Sequence, residues 1–283
     1  MIRIRALYGF GAMLLALATS VSAQTGVTRY VRYQAGGRVA LGILEQNTIH
    51  EITGDLFGTN RRTGTSVPLA QVKLLAPVQP RAVIAVGLNY KSHLGGRPVA
   101  AYPGLFSKYP SSIVGPDDEI VRPPDSNNLH YEGELVLVIG KRARDVPEAQ
   151  ALDYVFGVTA GNDVSERDWQ RDDLQWWRAK ASDTFGPIGP VIARGLNYND
   201  LLVTTRVNGE VRQQERTRDL IFNIQNIVSY ISRYVTLMPG DVIFTGTPQT
   251  TRAMQPGDVV EIEVEGVGVL RNKVVTGTRK TTS

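Results

Sequence analysis

From Val27 onward, polar and apolar residues alternate in short runs. "TRYVRYQ", "RVALGILE" and "IHEIT" are separated by Gly36-Gly37 and Asn47-Thr48, so the chain to about Leu75 predicts a small β-meander. Pro77 and Pro80 then mark a linker. Beyond it, "LLVTTRVNGEVRQQ" places Asn208-Gly209 between two alternating runs, a strong hairpin signal. Pro-Gly-Asp occurs at Pro239 to Asp241 and again at Pro256 to Asp258, each time before a β-branched run. Helical spacing is clear in "NIQNIVSYISRYV", where Ile224, Ile227, Val228, Ile231 and Val235 share a face and Asn223 is the expected cap. A shorter helix is expected from Ser165, with Asp168 where a capping-box partner would stand. Many strands, few helices and no regular strand–helix alternation give an α+β fold. The division expected is a β-rich domain over residues 24–76, a mixed β-roll or barrel-like domain over 80–275, and a polar tail over 276–283.

Composition changes this picture in two places. "MIRIRALYGFGAMLLALATSVSAQ" has a basic start, an apolar stretch and small residues at Val21-Ser22-Ala23, the pattern of a secretory signal peptide cleaved after Ala23. The apolar run is short for a membrane span. Export to the periplasm or medium is therefore expected, with no membrane association after cleavage. Losing Arg3 and Arg5 takes the formal charge from +4 to +2, which gives no reason to expect nucleic acid as a partner. The 283 residues include no cysteine and only three histidines, His50, His93 and His130. Thiol catalysis and zinc–thiolate sites are excluded, and a metal would be held mainly by carboxylates.

The candidate carboxylates stand in "LHYEGELVLVIG". Glu132 and Glu134 point to one face of a strand, immediately before a run that reads as buried on both faces. "VVEIEVEG" also spaces glutamates by two, at Glu261, Glu263 and Glu265, but its apolar residues alternate with them, so that face is solvated. Around Glu132 the solvated and the functional reading are evenly matched until a third acid enters. "VFGVTAGNDVSERDWQ" ends an apolar strand in Asn162-Asp163, far enough along for the chain to have returned beside the first strand. Two glutamates and this aspartate would make an all-oxygen site suited to Mg²⁺, Mn²⁺ or Ca²⁺. Taken alone, Asp163 is equally a carboxylate at a helix N-terminus.

"YEGELVLVIGKRARDV", "ALDYVFGVTAGNDVSERDWQ", "RAKASDTFGPIGP", "VNGEVRQ", "VTLMPGDVIFTGTP" and "GDVVEIEVEGVGVLRN" occur in that order. Together they closely resemble the fumarylacetoacetate hydrolase family, over roughly Val83 to Val275. The resemblance implies a mixed β-roll that is commonly dimeric, and hydrolysis, decarboxylation or isomerisation of small oxo acids. It implies Glu132, Glu134 and Asp163 as ligands of one Mg²⁺ or Mn²⁺. Lys180 matches the family's active-site lysine and His93, in "GLNYKSH", its proton-transfer histidine. Lys108, Thr247 and Gln175 are assigned to substrate binding, Thr247 as part of a pocket for a substrate carboxylate.

Two positions depart from the family pattern. Hydrolytic members carry Glu three residues after the histidine, and here that residue is Gly96. After "TGTP", Gln249-Thr250-Thr251-Arg252 replaces a glycine-rich turn. The activity implied first is metal-dependent hydrolysis of a C–C bond in an acylpyruvate-like oxo acid. Decarboxylation or tautomerisation, which need no activated water, is the alternative, and an exported oxo-acid-binding protein without turnover is the third reading.

Overall fold

The strand Gly133–Ile139 is buried at every residue, as is its antiparallel partner Val155–Asn162. Both carry unbroken apolar runs because both of their faces are covered. The computed structural model describes residues 26–278. The segment read as a signal peptide and residues 279–283 of the tail lie outside the described residues. Among the described residues no helix is long and apolar enough to cross a membrane.

Among the described residues two large sheets, with a two-stranded ribbon of Leu129–His130 and Ser165–Glu166, make up the α+β architecture. The larger runs, edge to edge, through Asn60–Pro68, Thr48–Gly54, Arg38–Glu45, Thr28–Ala35, Gly186–Arg194, Val155–Asn162, Gly133–Ile139, Val242–Phe244, Val83–Gly87 and Gly104–Lys108. The second to fourth of these strands are the meander runs read from the sequence, and the exposed Asn60–Pro68 extends them by one. They do not form a separate sheet: Thr28–Ala35 pairs antiparallel with Gly186–Arg194, with Tyr30 opposite Ile192. The smaller sheet is ordered Glu210–Arg216, Leu202–Val207, Val259–Val264, Gly268–Thr276 and Glu119–Arg122.

One apolar core fills the space between the sheets. Leu135, Leu137 and Val158 of the larger meet Val203, Ile262, Val264 and Leu270 of the smaller. Each such side chain contributes roughly 1.5–3 kcal/mol by leaving water. The opposite face of the larger sheet buries Val136, Val138, Ile188 and Phe244 in a second cluster.

Local chemistry explains the turns. Asn208 and Gly209 have φ of 53° and 80°, which is the backbone a two-residue hairpin needs. In both Pro-Gly-Asp turns the aspartate carboxylate accepts an amide three residues back: Asp241 from Met238 at 2.8 Å and Asp258 from Gln255 at 2.7 Å. The long helix spans Ile224–Tyr234 and buries Ile224, Ile227, Val228 and Ile231, with Asn223 capping Asn226 at 2.8 Å. Val235 lies past its end and is exposed. The short helix begins at Arg167, two residues later than read from the sequence. Glu166 is its cap, accepting from the Trp169 amide at 2.7 Å, whereas Ser165 turns back to the Asp163 carbonyl. Glu263 stands on the solvated face of Val259–Val264, paired with Arg206 at 2.7 Å.

Candidate active site

Glu132 directly precedes one buried strand, and Asp163 directly follows its partner. Because the strands are antiparallel, with Gly133 opposite Asn162, the two acids meet at one end, and the Asp163 amide donates to the Glu132 carbonyl at 2.9 Å. Glu132, Glu134 and Asp163 each offer an oxygen within 4.8 Å of the others, and all three residues are buried. The glycine between the glutamates has a packing reason. A Cβ at Gly133 would lie 2.0 Å from Thr205 Oγ1 and 3.0 Å from Ile262 Cδ1. The smaller sheet thus rests on bare backbone while the glutamates face the other way.

Two of the three acids are neutralised by the protein. Asp163 accepts from Lys108 Nζ at 2.6 Å and from Lys180 Nζ at 2.7 Å. Glu132 accepts from Lys180 Nζ at 2.5 Å and from Arg167. Burial opposes the charge on Glu132, but Arg167 and Lys180 hold its carboxyl well below the usual range. Burial likewise opposes the Lys180 charge, and Asp163 with Glu132 keeps that ammonium above its ordinary value. Lys108 is pulled down by burial despite Asp163.

Glu134 differs. One of its oxygens accepts the Gly246 amide at 2.7 Å, and no Lys or Arg pairs with it among the described residues. Burial, and then the charges of Asp163 and Glu132, push its carboxyl well above the usual range. Added positive charge there would favour its ionised form. Three hard oxygen donors, one without a counterion, fit a divalent cation such as Mg²⁺ or Mn²⁺.

Above the acids lies a cavity of about 660 Å³. His93, Arg97, Glu132, Glu134, Arg167 and Lys180 are among its polar lining, and Val86, Phe106 and Trp176 among its apolar lining. Phe106 and Trp176 pack edge to face at 5.4 Å, and Lys180 Nζ sits 4.9 Å over the Phe106 ring. His93 ends a single helical turn, Lys91–His93. Its Nδ1 is hydrogen-bonded to the main-chain carbonyl of Gln249. A carbonyl only accepts, so Nδ1 carries the proton and Nε2 of the neutral ring keeps its lone pair. Nε2 stands 3.7 Å from Glu132 Oε1.

The structure therefore gathers His93, Lys180 and the three acids into one site, and it places the remaining candidates differently. Lys108 is buried behind Asp163 as its counterion and does not line the cavity. Thr247 lines the cavity, but its hydroxyl donates to the Gly133 carbonyl at 3.0 Å and accepts from Gln213 at 2.9 Å. Gln175 is exposed on the loop between the helices Arg167–Asp172 and Trp177–Ala181, outside the cavity lining. The glutamines that do line the cavity are Gln170, bonded to Arg167 at 2.7 Å, and Gln249. Arg167, which also reaches Thr251 at 2.9 Å, was not singled out from the sequence. Its only signal there is a position four residues after Asp163, on the first turn of the short helix. His130, which also lines the cavity, carries no distinguishing signal in the sequence either. It bonds Thr251 and Asn128, both at 2.8 Å, and burial followed by the Arg167 charge lowers its imidazole to about 4.

Fold and site together set the chain beside relatives that are enzymes. Residues 82–275 match the family model for the fumarylacetoacetate (FAA) hydrolase C-terminal domain, and the chain belongs to that family. Residues 28–77 match the Rv2993c-like N-terminal model. The oxaloacetate tautomerase FAHD2A of Homo sapiens is 42% identical over 74% of this chain and 71% of its own. The crystal structure of 2-hydroxyhepta-2,4-diene-1,7-dioate isomerase from Mycobacterium marinum is 42% identical, with a TM-score of 0.84, covering 89% of this chain and all of its own. A maleylpyruvate hydrolase from Sphingobium, solved with manganese and pyruvate, is 31% identical with a TM-score of 0.74, covering 88% of this chain and all of its own.

Proposed function

We propose that this protein moves a proton on a small 2-oxo acid, interconverting its keto and enol forms, with a divalent cation held by Glu132, Glu134 and Asp163. The cation, when bound, supplies Lewis-acid stabilisation of charge on the substrate oxygens. His93 Nε2, facing the cavity with its lone pair, takes a proton from the carbon beside the carbonyl. The electron pair of that C–H bond becomes the C=C bond, and the carbonyl electrons move onto oxygen. Lys180 places a fixed ammonium near that oxygen without reorganising. Return of that proton from His93 Nε2 to the oxygen completes the enol and restores the base, and ketonisation is the reverse path. Phe106 and Trp176 keep bulk water from one side of the site.

The observation that carries this reading is that His93 has a main-chain carbonyl, not a carboxylate, behind its Nδ1. Three residues on, where a water-activating carboxylate would stand, Gly96 is exposed at φ +85°, and a Cβ there would meet nothing within 4 Å. Proton transfer needs one base, whereas hydrolysis also needs a water aimed at carbon. The tautomerase and isomerase relatives support the same choice. Hydrolysis of an acylpyruvate-like C–C bond is the second reading, favoured by the manganese- and pyruvate-bound hydrolase.

Stopped-flow absorbance on the enol of oxaloacetate, with and without Mn²⁺, tests the proposal. Metal-dependent acceleration of ketonisation supports it. Cleavage products from acylpyruvates without faster ketonisation would reverse the choice, and tight binding of oxo acids with neither reaction would mark a binding protein.

A further inference from the structure

We infer that Gln249 is the positioning residue that takes over from the missing carboxylate behind His93. The inference rests on His93 being the proton carrier. Gly96 and Gln249, the two departures from the family pattern, are far apart in the chain, yet both bear on one imidazole ring. The position that lost its carboxylate points into open space. The group that meets Nδ1 instead is the main-chain carbonyl of Gln249.

That carbonyl is aimed by an unusual backbone. Gln249 has φ of +53°, the left-handed region, which side-chain-bearing residues adopt at a cost. Three further hydrogen bonds hold it there. Its amide donates to Ser92 Oγ at 2.9 Å, its side-chain oxygen accepts from the Gln214 amide at 3.1 Å, and its side-chain nitrogen donates to the Gln214 carbonyl at 3.3 Å. Ser92 precedes His93, and its own hydroxyl donates to Glu215 at 2.5 Å. Both sides of the contact are therefore fastened to the strand Glu210–Arg216: the loop through Gln214, and the histidine turn through Glu215.

A glycine at position 249 would adopt this φ freely but would lose the two bonds to Gln214. The glutamine accepts backbone strain in exchange for a fixed direction. The carbonyl performs the orienting half of a carboxylate's task, setting tautomer and ring plane, without adding negative charge beside the metal cluster.

The ring itself can be read. The chain has three histidines, so long-range ¹H–¹⁵N NMR of the ¹⁵N-histidine-labelled protein resolves each one, with His93→Asn as the assignment control. We expect neutral His93 in a single tautomer, proton on Nδ1, both without metal and with Mg²⁺. In Gln249→Gly both tautomers should be populated, and kcat for ketonisation should fall about ten- to hundredfold with little change in KM, the scale of a misplaced catalytic group. Gln249→Asn, which tolerates the left-handed backbone but has a shorter reach towards Gln214, should fall between. A wild-type proton on Nε2 would overturn the inference, and that result requires no variant to fold. A Gln249→Gly protein that keeps both the single tautomer and its kcat would overturn it as well. Ketonisation indifferent to His93→Ala would instead overturn the proposed function, and with it the catalytic meaning of the Gln249 contact, even where the tautomer is as expected.

Discussion

Lys108 and Asp163 form a buried ion pair, Nζ to Oδ1 at 2.6 Å, and neither residue lines the cavity beside them. The pair holds a charged acid at the end of a fully buried strand. Lys108→Met should therefore act on the fold more than on substrate affinity. Breaking a buried pair from one side costs about 3–5 kcal/mol, and urea unfolding of the metal-free protein reads it directly. A loss below about 1 kcal/mol, the usual worth of a surface pair, would show that Lys180 alone suffices for Asp163.

Glu134 should behave in the opposite way. In the metal-free protein its carboxyl is crowded by two other acids, so Glu134→Gln should leave stability unchanged or raise it. Cation affinity should collapse, by more than the roughly 10–100-fold that even outer partners of metal ligands contribute. Calorimetric titration with Mn²⁺ checks this, with Glu263→Gln on the solvated face as the control. Equal effects from the two variants would remove Glu134 from the ligand set.

Thr247 discriminates between two roles. If its hydroxyl serves the fold, as its bonds to Gly133 and Gln213 indicate, Thr247→Val should cost about 1–3 kcal/mol by leaving buried polar groups unpaired. KM should move little, and Thr247→Ser should restore stability. A KM that rises more than tenfold in a protein of normal melting temperature would return Thr247 to carboxylate binding.

Gly133 cannot carry a side chain without moving a sheet. Gly133→Ala puts a methyl against Thr205 and Ile262, and overpacking of this kind costs about 1–3 kcal/mol. Thermal melts should show Thr205→Ala partly rescuing it, because the closest clash is with the threonine hydroxyl. No rescue would mean that Ile262 or the backbone is the true obstacle.

The leader remains an expectation from sequence, and it has a simple check. Intact-mass measurement of exported protein should give a chain beginning at Gln24. Retention of Met1 would refute the signal peptide.

What the sequence disclosed follows from how local each signal was. Glu132 and Glu134 became legible only together with Asp163: spacing by two before an apolar run is ambiguous alone, and a third acid at the end of a returning strand, with the ordered motifs around all three, removes the ambiguity. The counterions were not legible. Lys108 and Arg167 reach these acids from distant segments, and nothing around either residue encodes its partner. Glu166 outcompeted Ser165 as helix cap because its longer side chain reaches the Trp169 amide while the serine satisfies the Asp163 carbonyl. Gln170, three residues after Arg167 on the same short helix, lines the cavity, whereas Gln175, assigned to substrate binding, does not. The meander was readable strand by strand from its alternation. Its attachment to Gly186–Arg194 was not, because pairing between remote strands leaves no mark on either one.

That attachment bears on how the chain can be cut. A fragment beginning near Pro80 would retain every candidate residue of the site, yet it would uncover the backbone donors and acceptors of Gly186–Arg194 that Thr28–Ala35 now satisfies. An uncovered edge of this kind is a template for a strand from another molecule. The meander thus serves the rest of the protein as an edge guard, and a chain trimmed to the site-bearing segment invites self-association through the seam it exposes.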